Sequence, residues 1–207
     1  MTATPDLRAG SRARLPRSAR RAQLLMAAQE VFVCSGYHAA AMDEIADRAG
    51  VSKPVLYQHF PGKLELYLAL LDQHAAAMIT AVRRALDSTT DNKQRVAAAI
   101  AAYFAFVDDE GAAFRLVFES DLVNEAAVRE RVDRVTHECA EAISEVIAED
   151  AGLSAEESML LAVGLVGMAQ VTARWWLAQN GSLPRAAASR LVAGLAWRGI
   201  GSFPRTT

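Results

Sequence analysis

AMDEIADRAGVSKPVLYQHF, residues 41–60, decides how the rest of the 207-residue chain is read. Met42, Ile45, Ala46 and Ala49 recur at the spacing of one helix face, and Gly50 ends that helix and supplies the turn. Ser52 is of the type that caps a helix start, and Pro54 is tolerated in a first turn whose amides have no intrahelical partner. A second short helix is therefore predicted from there to about Phe60. Ile45, Ala46, Val51, Val55 or Leu56, and Phe60 can close a small core between the two helices, and the layout is a helix-turn-helix. Ser52, Lys53, Tyr57, Gln58 and His59 then project from the second helix, a mixture suited to phosphates and base edges. The same mixture lacks a second acid, base or nucleophile at fixed reach, which argues against catalysis.

Upstream, Leu24, Leu25, Ala28, Val31 and Phe32 mark a helix from about Arg17, and Gly36 sits where a left-handed C-terminal cap is expected to end it. Residues 1–16, Arg-rich and punctuated by Pro5, Gly10 and Pro16, read as a mobile basic arm. Downstream, Pro61-Gly62 breaks the chain before a long helix from Lys63 to about Leu86. Further helices are predicted over Arg95–Val107, Ala113–Leu122, Glu125–Glu149, from Ser154 to about Gln179, and from Pro184 to about Trp197. Asp91 with Gln94, and Ser154 with Glu157, have the spacing of capping boxes. No alternating strand pattern of useful length occurs. The expected fold is all-α: an arm over 1–16, a helix-turn-helix domain over 17–62, and a larger helical domain over 63–207.

The formal net charge of −2 and 22% charged residues argue against a protein that coats nucleic acid by bulk charge. The distribution says otherwise, because residues 1–63 carry +4 and residues 64–207 carry −6. Arg8, Arg12, Arg14 and Arg17 can follow phosphates or enter a minor groove; the plainer reading is a solvated leader. Cys34 and Cys139 have no ligand-type spacing, so neither a disulfide nor a metal site is expected, and no cofactor. The Arg-rich start has no apolar run before Leu24, unlike a secretory signal, and the longest uncharged stretch, Ser158–Ala173, is short for a membrane span. A cytoplasmic protein without membrane contact is expected.

Gly36-Tyr37, Ile45-Ala46, Ala49-Gly50-Val51-Ser52-Lys53, Leu56-Tyr57-x-His59-Phe60 and Lys63 resemble the DNA-binding signature of the TetR family of bacterial transcriptional regulators. The resemblance implies a homodimer whose two recognition helices enter the major groove of operator DNA, and a larger domain that binds a small molecule. By position, it implies phosphate contacts from Lys53, Tyr57, His59 and Lys63. Val55 and Gln58 are the candidates for base contacts, Val against a thymine methyl and Gln against adenine. Ala40 and Ala41 stand where the family usually has a hydroxyl that caps the second helix and touches phosphate, which leaves any phosphate contact there to backbone amides.

In the larger domain Phe104, Phe114, Phe118, Val135, Met168 and Trp175 are candidates for an apolar effector pocket, although each alone also reads as core. Arg115, Arg129, Arg131 and Arg134 are candidates for an anionic head group, or else pair with neighbouring acids on the surface. Gly164, Gly167 and the stripe Leu161, Leu165, Met168, Thr172, with Leu191, Leu195 and Trp197, suggest a helical dimer interface, or else an intrachain core. The runs STTDNKQR, FRLVFESDLVNE and AVGLVGMAQVTARWWL further resemble actinobacterial TetR-type regulators of fatty acid synthase genes. That likeness implies a long-chain acyl-CoA effector that releases the protein from DNA. The alternatives are a TetR-type repressor of an efflux or catabolic operon, and a lipid-binding sensor or carrier with a vestigial DNA-binding unit. An enzyme is not expected: on a helix Cys139 cannot join the His137/Glu141 pair.

Overall fold

Gly36 sets the first boundary. At φ +73° and ψ 166° it adopts a backbone conformation open essentially to glycine alone, and the helix that began at Arg17 kinks there before one last turn to Ala39. The computed structural model describes residues 15–109, 122, 125–179 and 182–199. Among these residues lie eight helices and no strand: α1 (Arg17–Ala39), α2 (Met42–Arg48), α3 (Lys53–His59), α4 (Lys63–Asp87), α5 (Asn92–Asp109), α6 (Ala126–Ala151), α7 (Ala155–Ala178) and α8 (Arg185–Arg198). The arm residues Arg8, Arg12 and Arg14, and the expected helix over Ala113–Leu122 with Phe114, Arg115 and Phe118, lie outside the described residues except for Leu122.

Local signals place several ends. Asp91 Oδ1 accepts from Gln94 N–H at 3.0 Å before α5. Ser154 and Glu157 exchange both bonds of a capping box at the start of α7. Gly152, at φ +64°, closes α6 in the left-handed region.

Two apolar cores result. The head core takes Leu24, Val31 and Phe32 from α1, Ile45 and Ala46 from α2, Leu56 from α3, and Leu66, Tyr67 and Leu70 from α4. The Tyr67 ring meets Phe32 edge-on at 5.3 Å and Tyr37 at 5.1 Å. The body core takes Met78 and Val82 from α4, Ile100 and Phe104 from α5, Val135 and Cys139 from α6, and Ala162, Val166, Ala173 and Trp176 from α7. Helix α4 belongs to both, and so does α6, since Val128 near its start is fully buried in the head core.

At 24 residues, α7 is long and apolar enough to cross a membrane, longer than the uncharged stretch in the sequence suggests. Two apolar faces explain its composition. One carries Ala162, Val166, Ala169 and Ala173 into the body core, and the other leaves Leu160, Val163, Val171 and Trp175 exposed.

Candidate nucleic-acid interface and effector cavity

Gly50 fixes the angle between α2 and α3. Its φ is +64°, and the turn closes by Val51 N–H to Ala46 O at 3.0 Å and Gly50 N–H to Asp47 O at 3.0 Å. That pair of bonds is a Schellman ending, which demands a left-handed residue at the glycine. Gln23 Nε2 of α1 donates to Ala49 O at 2.7 Å, and Arg20 Nη1 donates to Gln23 Oε1 at 2.7 Å, so the turn is tied to the first helix. Arg48 of α2 pairs with Glu30 of α1 at 2.8 Å.

With Leu56 and Phe60 buried behind it, α3 turns Ser52, Lys53, Tyr57 and Gln58 to solvent and leaves Val55 and His59 half-buried. Six of the seven sequence-predicted contacts thus gather on or beside one helix. Ser52 holds the N-cap position but its hydroxyl makes no capping bond. Pro54, two residues on, has no N–H to offer it. Lys53 pairs with Asp43 at the start of α2, an exposed contact that a phosphate can replace.

His59 faces more positive charge than the sequence reading assigned. Partial burial first, then the charges of Arg17, Arg20 and Arg21, push its imidazole below the ordinary value. Arg21 also lies over the Phe60 ring, 4.8 Å from its centroid. The first turns of α1 therefore supply cations beside the recognition helix. Sequence reasoning named Arg17 and missed Arg20 and Arg21, whose signal was their place on the helix tied to the Gly50 turn.

Lys63 is placed differently from the expected phosphate contact. Its Nζ donates to three carbonyl oxygens at the end of α1, those of Tyr37 (2.7 Å), His38 (3.1 Å) and Ala40 (2.9 Å). The ammonium also sits 4.6 Å from the centroid of the Tyr37 ring. The kink at Gly36 leaves carbonyls of the last turn without amide partners, and Lys63 satisfies them from the start of α4. Its ammonium holds α4 against α1.

In the body, α4, α5, α6, α7 and the end of α8 enclose a cavity of about 690 Å³. Its volume falls within the range of small-molecule sites, about 300–1,000 Å³. The wall is aliphatic, including Val96, Ala99, Ile143, Ile147 and Leu165, with Trp197 at the rim and Asn92, Arg95 and Asp150 as polar members. Of the sequence-predicted ligand residues, Met168 lines it. Phe104 and Val135 do not; they are core residues, 0% and 3% exposed, packed between helices rather than bordering a void. Trp175, 60% exposed, stands on the outer face of α7. The expected head-group arginines are elsewhere too: Arg131 Nε lies 2.9 Å from Asp72 Oδ1, and Arg134 pairs with Glu130 on the surface at 3.2 Å. Arg95 is the guanidinium in the wall, and sequence reasoning missed it. Burial pushes the Cys139 thiol up to about 11, which keeps it a neutral wall group.

Residues 24–70 match the sequence family described as bacterial regulatory proteins, tetR family, and residues 81–204 match the tetracyclin repressor-like C-terminal domain. The chain belongs to the TetR family. It is 49% identical over 193 residues, 93% of this chain and 88% of the relative, to the HTH-type transcriptional activator FasR of Mycolicibacterium smegmatis. A TetR-like transcriptional regulator from Rhodococcus sp. RHA1 matches its structure with a TM-score of 0.73 at 28% identity, covering 92% of this chain and 100% of that one. The Bacillus subtilis regulator FadR, solved in complex with stearoyl-CoA, shares the fold with a TM-score of 0.70 at 19% identity, over 86% of this chain and 98% of that one.

TetR regulators bind operator DNA, dimerise and bind small-molecule effectors, and this chain is a DNA-binding regulator rather than an enzyme. His137 and Glu141 form an i, i+4 surface pair at 3.2 Å while Cys139 is buried. Among the described residues no group of His, Cys, Asp and Glu is placed to hold a metal ion. Of the stripe expected for a dimer interface, Leu161, Leu191 and Trp197 are exposed. Leu165 and Met168 line the cavity, Leu160 and Leu161 border it while also exposed, and Val163, Val171 and Trp175 on α7 and Leu191 on α8 are exposed away from it. A Cβ added at Gly164 or Gly167 would meet nothing within 4 Å inside the protomer. Gly164 borders the cavity, so the space beside it belongs to that void.

Proposed function

We propose that this protein is a homodimeric, operator-binding activator of lipid-synthesis genes, released from DNA when a long apolar effector such as a long-chain acyl-CoA occupies the body cavity. The observation that carries the reading is one continuous helix with both functions on it. Near its start α6 buries Val128 in the core of the DNA-reading head, and its second half supplies Ile143, Val146 and Ile147 to the cavity wall. A ligand that moves that wall moves the support of the recognition helix. The aliphatic lining selects a hydrocarbon over a sugar or nucleotide. Support for lipid metabolism comes from the identity to the activator FasR across both domains, from the likeness to actinobacterial regulators of fatty acid synthase genes, and from the fold shared with an acyl-CoA-bound regulator.

In the reading unit, Lys53, Tyr57 and His59, with Arg17, Arg20 and Arg21, take phosphates, while Val55 and Gln58 take base edges and Ser52 either. Two recognition helices meet half-sites one turn of DNA apart through the α7 and α8 faces of a two-fold dimer in the cytoplasm.

Extraction and mass spectrometry of purified protein should find a co-bound long-chain acyl species. Fluorescence anisotropy on the protein's own upstream DNA should show palmitoyl-CoA releasing the wild type. Ala99→Phe, which fills the cavity, should bind the same DNA and resist release. Equal release of both proteins would refute the cavity as the effector site.

A further inference from the structure

We propose that Arg95 is the head-group receptor of the cavity, and that an anionic head group takes the place now held by the Asp150 carboxylate. This rests on the cavity being the effector site.

The polar members of the wall are not scattered. Asn92 and Arg95 lie in the first turn of α5, and Asp150 lies in the last turn of α6, so the two helix ends bring them to one end of the cavity. Five residues further along α5, about 8 Å at the helical rise, the wall is set by buried Ile100, with Val96 and Ala99 before it. A site that is polar at one end and aliphatic along its length fits an amphiphile in one orientation.

Arg95 is held in place by bonds that do not involve Asp150. Its Nε donates to Thr89 O at 2.8 Å, and its Nη1 donates to Asn92 Oδ1 at 3.1 Å. Nη1 also meets Asp150 Oδ2 at 2.7 Å. The guanidinium side chain is 18% exposed and the carboxylate 33%, one residue from the end of α6. A carboxylate there sits against the negative end of the helix dipole. It is the more exposed and less favoured partner, with solvent to turn into, whereas Arg95 has two further bonds to hold it. The planar guanidinium then offers N–H donors to a carboxylate or phosphate oxygen, an exchange of one anion for another with no charge left unpaired.

The test uses the full-length protein bound to a labelled duplex of its own upstream DNA, titrated below micellar concentrations with palmitate, palmitoyl-CoA and hexadecanol. Wild type should prefer the two anions over the alcohol at least tenfold. Arg95→Gln should lose that preference while keeping its affinity for hexadecanol. Asp150→Asn, which removes the competing carboxylate, should release DNA at several-fold lower palmitate or palmitoyl-CoA with hexadecanol unchanged, a gain that a damaged fold does not produce. A shift with palmitate identifies a terminal carboxylate as the recognised group, and a shift with palmitoyl-CoA alone identifies the phosphates. Parallel loss for all three probes in Arg95→Gln, or an unchanged anion preference in Asp150→Asn, would overturn the proposal. Failure of every probe on the wild type would instead bring down the cavity reading, and this inference with it.

Discussion

Lys63→Met separates two roles for a lysine at the start of a helix. If its ammonium met a phosphate, the substitution would lower the slope of log K against log salt by about one unit and leave the free protein intact. The structure predicts another result, because that ammonium serves three carbonyls, at 2.7, 2.9 and 3.1 Å, and the Tyr37 ring. Hydrogen bonds to a charged donor contribute roughly 1.5–3 kcal/mol. Three acceptors share this partly exposed donor, so the expected loss is about 2–3 kcal/mol for the set rather than for each. At about 2–4 °C per kcal/mol for a chain of this size, Tm should fall by roughly 5–10 °C. Differential scanning calorimetry measures that loss, and anisotropy titrations at several salt concentrations measure the slope. Lys53→Met, whose exposed partner is Asp43, should do the reverse: a Tm within a degree or two of wild type and a slope lower by about one. An unchanged Tm with a reduced slope in Lys63→Met would refute the placement of its ammonium on the α1 carbonyls.

Gln58→Ala should relax base preference at one position in each half-site, costing about 1–3 kcal/mol on the preferred base, read by selection from a randomised half-site library. An even loss over all sequences would make Gln58 a phosphate contact. His59 gives a pH dependence. Its native pKa is lowered, so the unfolded chain binds more protons just below the ordinary histidine value of about 6.5, and stability rises with pH through that window. Phosphate contact reverses the bias and favours the imidazolium. DNA affinity measured at constant ionic strength should therefore rise as pH falls through the same window, and His59→Gln should flatten that rise. Val171→Asp puts a carboxylate on the exposed face of α7. Sedimentation should show monomers with near-normal melting, and operator binding should be lost with the dimer.

The head was almost fully legible because its signals are local. Gly36, Gly50, Ser52, Pro54 and Pro61-Gly62 punctuate the chain within a few residues of the effects they cause, and Leu56 and Phe60 are buried as their spacing implies. The carbonyl partners of Lys63 were not legible, for a physical reason. A cation at a helix start reads as an anion site, yet its partners lie 23 to 26 residues upstream, brought near by the kink at Gly36. The cavity was hidden for another. Periodicity reports that a face is apolar, not whether it meets a neighbour, a void or a second subunit, and α7 is apolar towards all three. Choosing an apolar cluster centred on aromatic residues selected Phe104 and Val135, which fill space, over Ala99, Ile147 and Leu165, which border it. Arg95 looked like an ordinary charge after a capping box; only the end of α6, arriving from far along the chain, makes it part of a wall.

Helix α6 also sets the scale of the proposed switch. Val128 and Ile143 are fifteen residues apart, about 22 Å along one helix. A hundredfold loss of operator affinity requires about 2.7 kcal/mol, or roughly 1.4 kcal/mol from each protomer of a dimer. Fully burying a valine contributes about 1.5–3 kcal/mol, and Val128 is 0% exposed in the head core. Partial withdrawal of that one side chain, together with the Arg131 and Asp72 contact beside it at 2.9 Å, is enough to reach the figure. The effector therefore need not unfold or reorder the head. It needs to favour, by little more than one kcal/mol per protomer, the position of a helix on which both cores already depend.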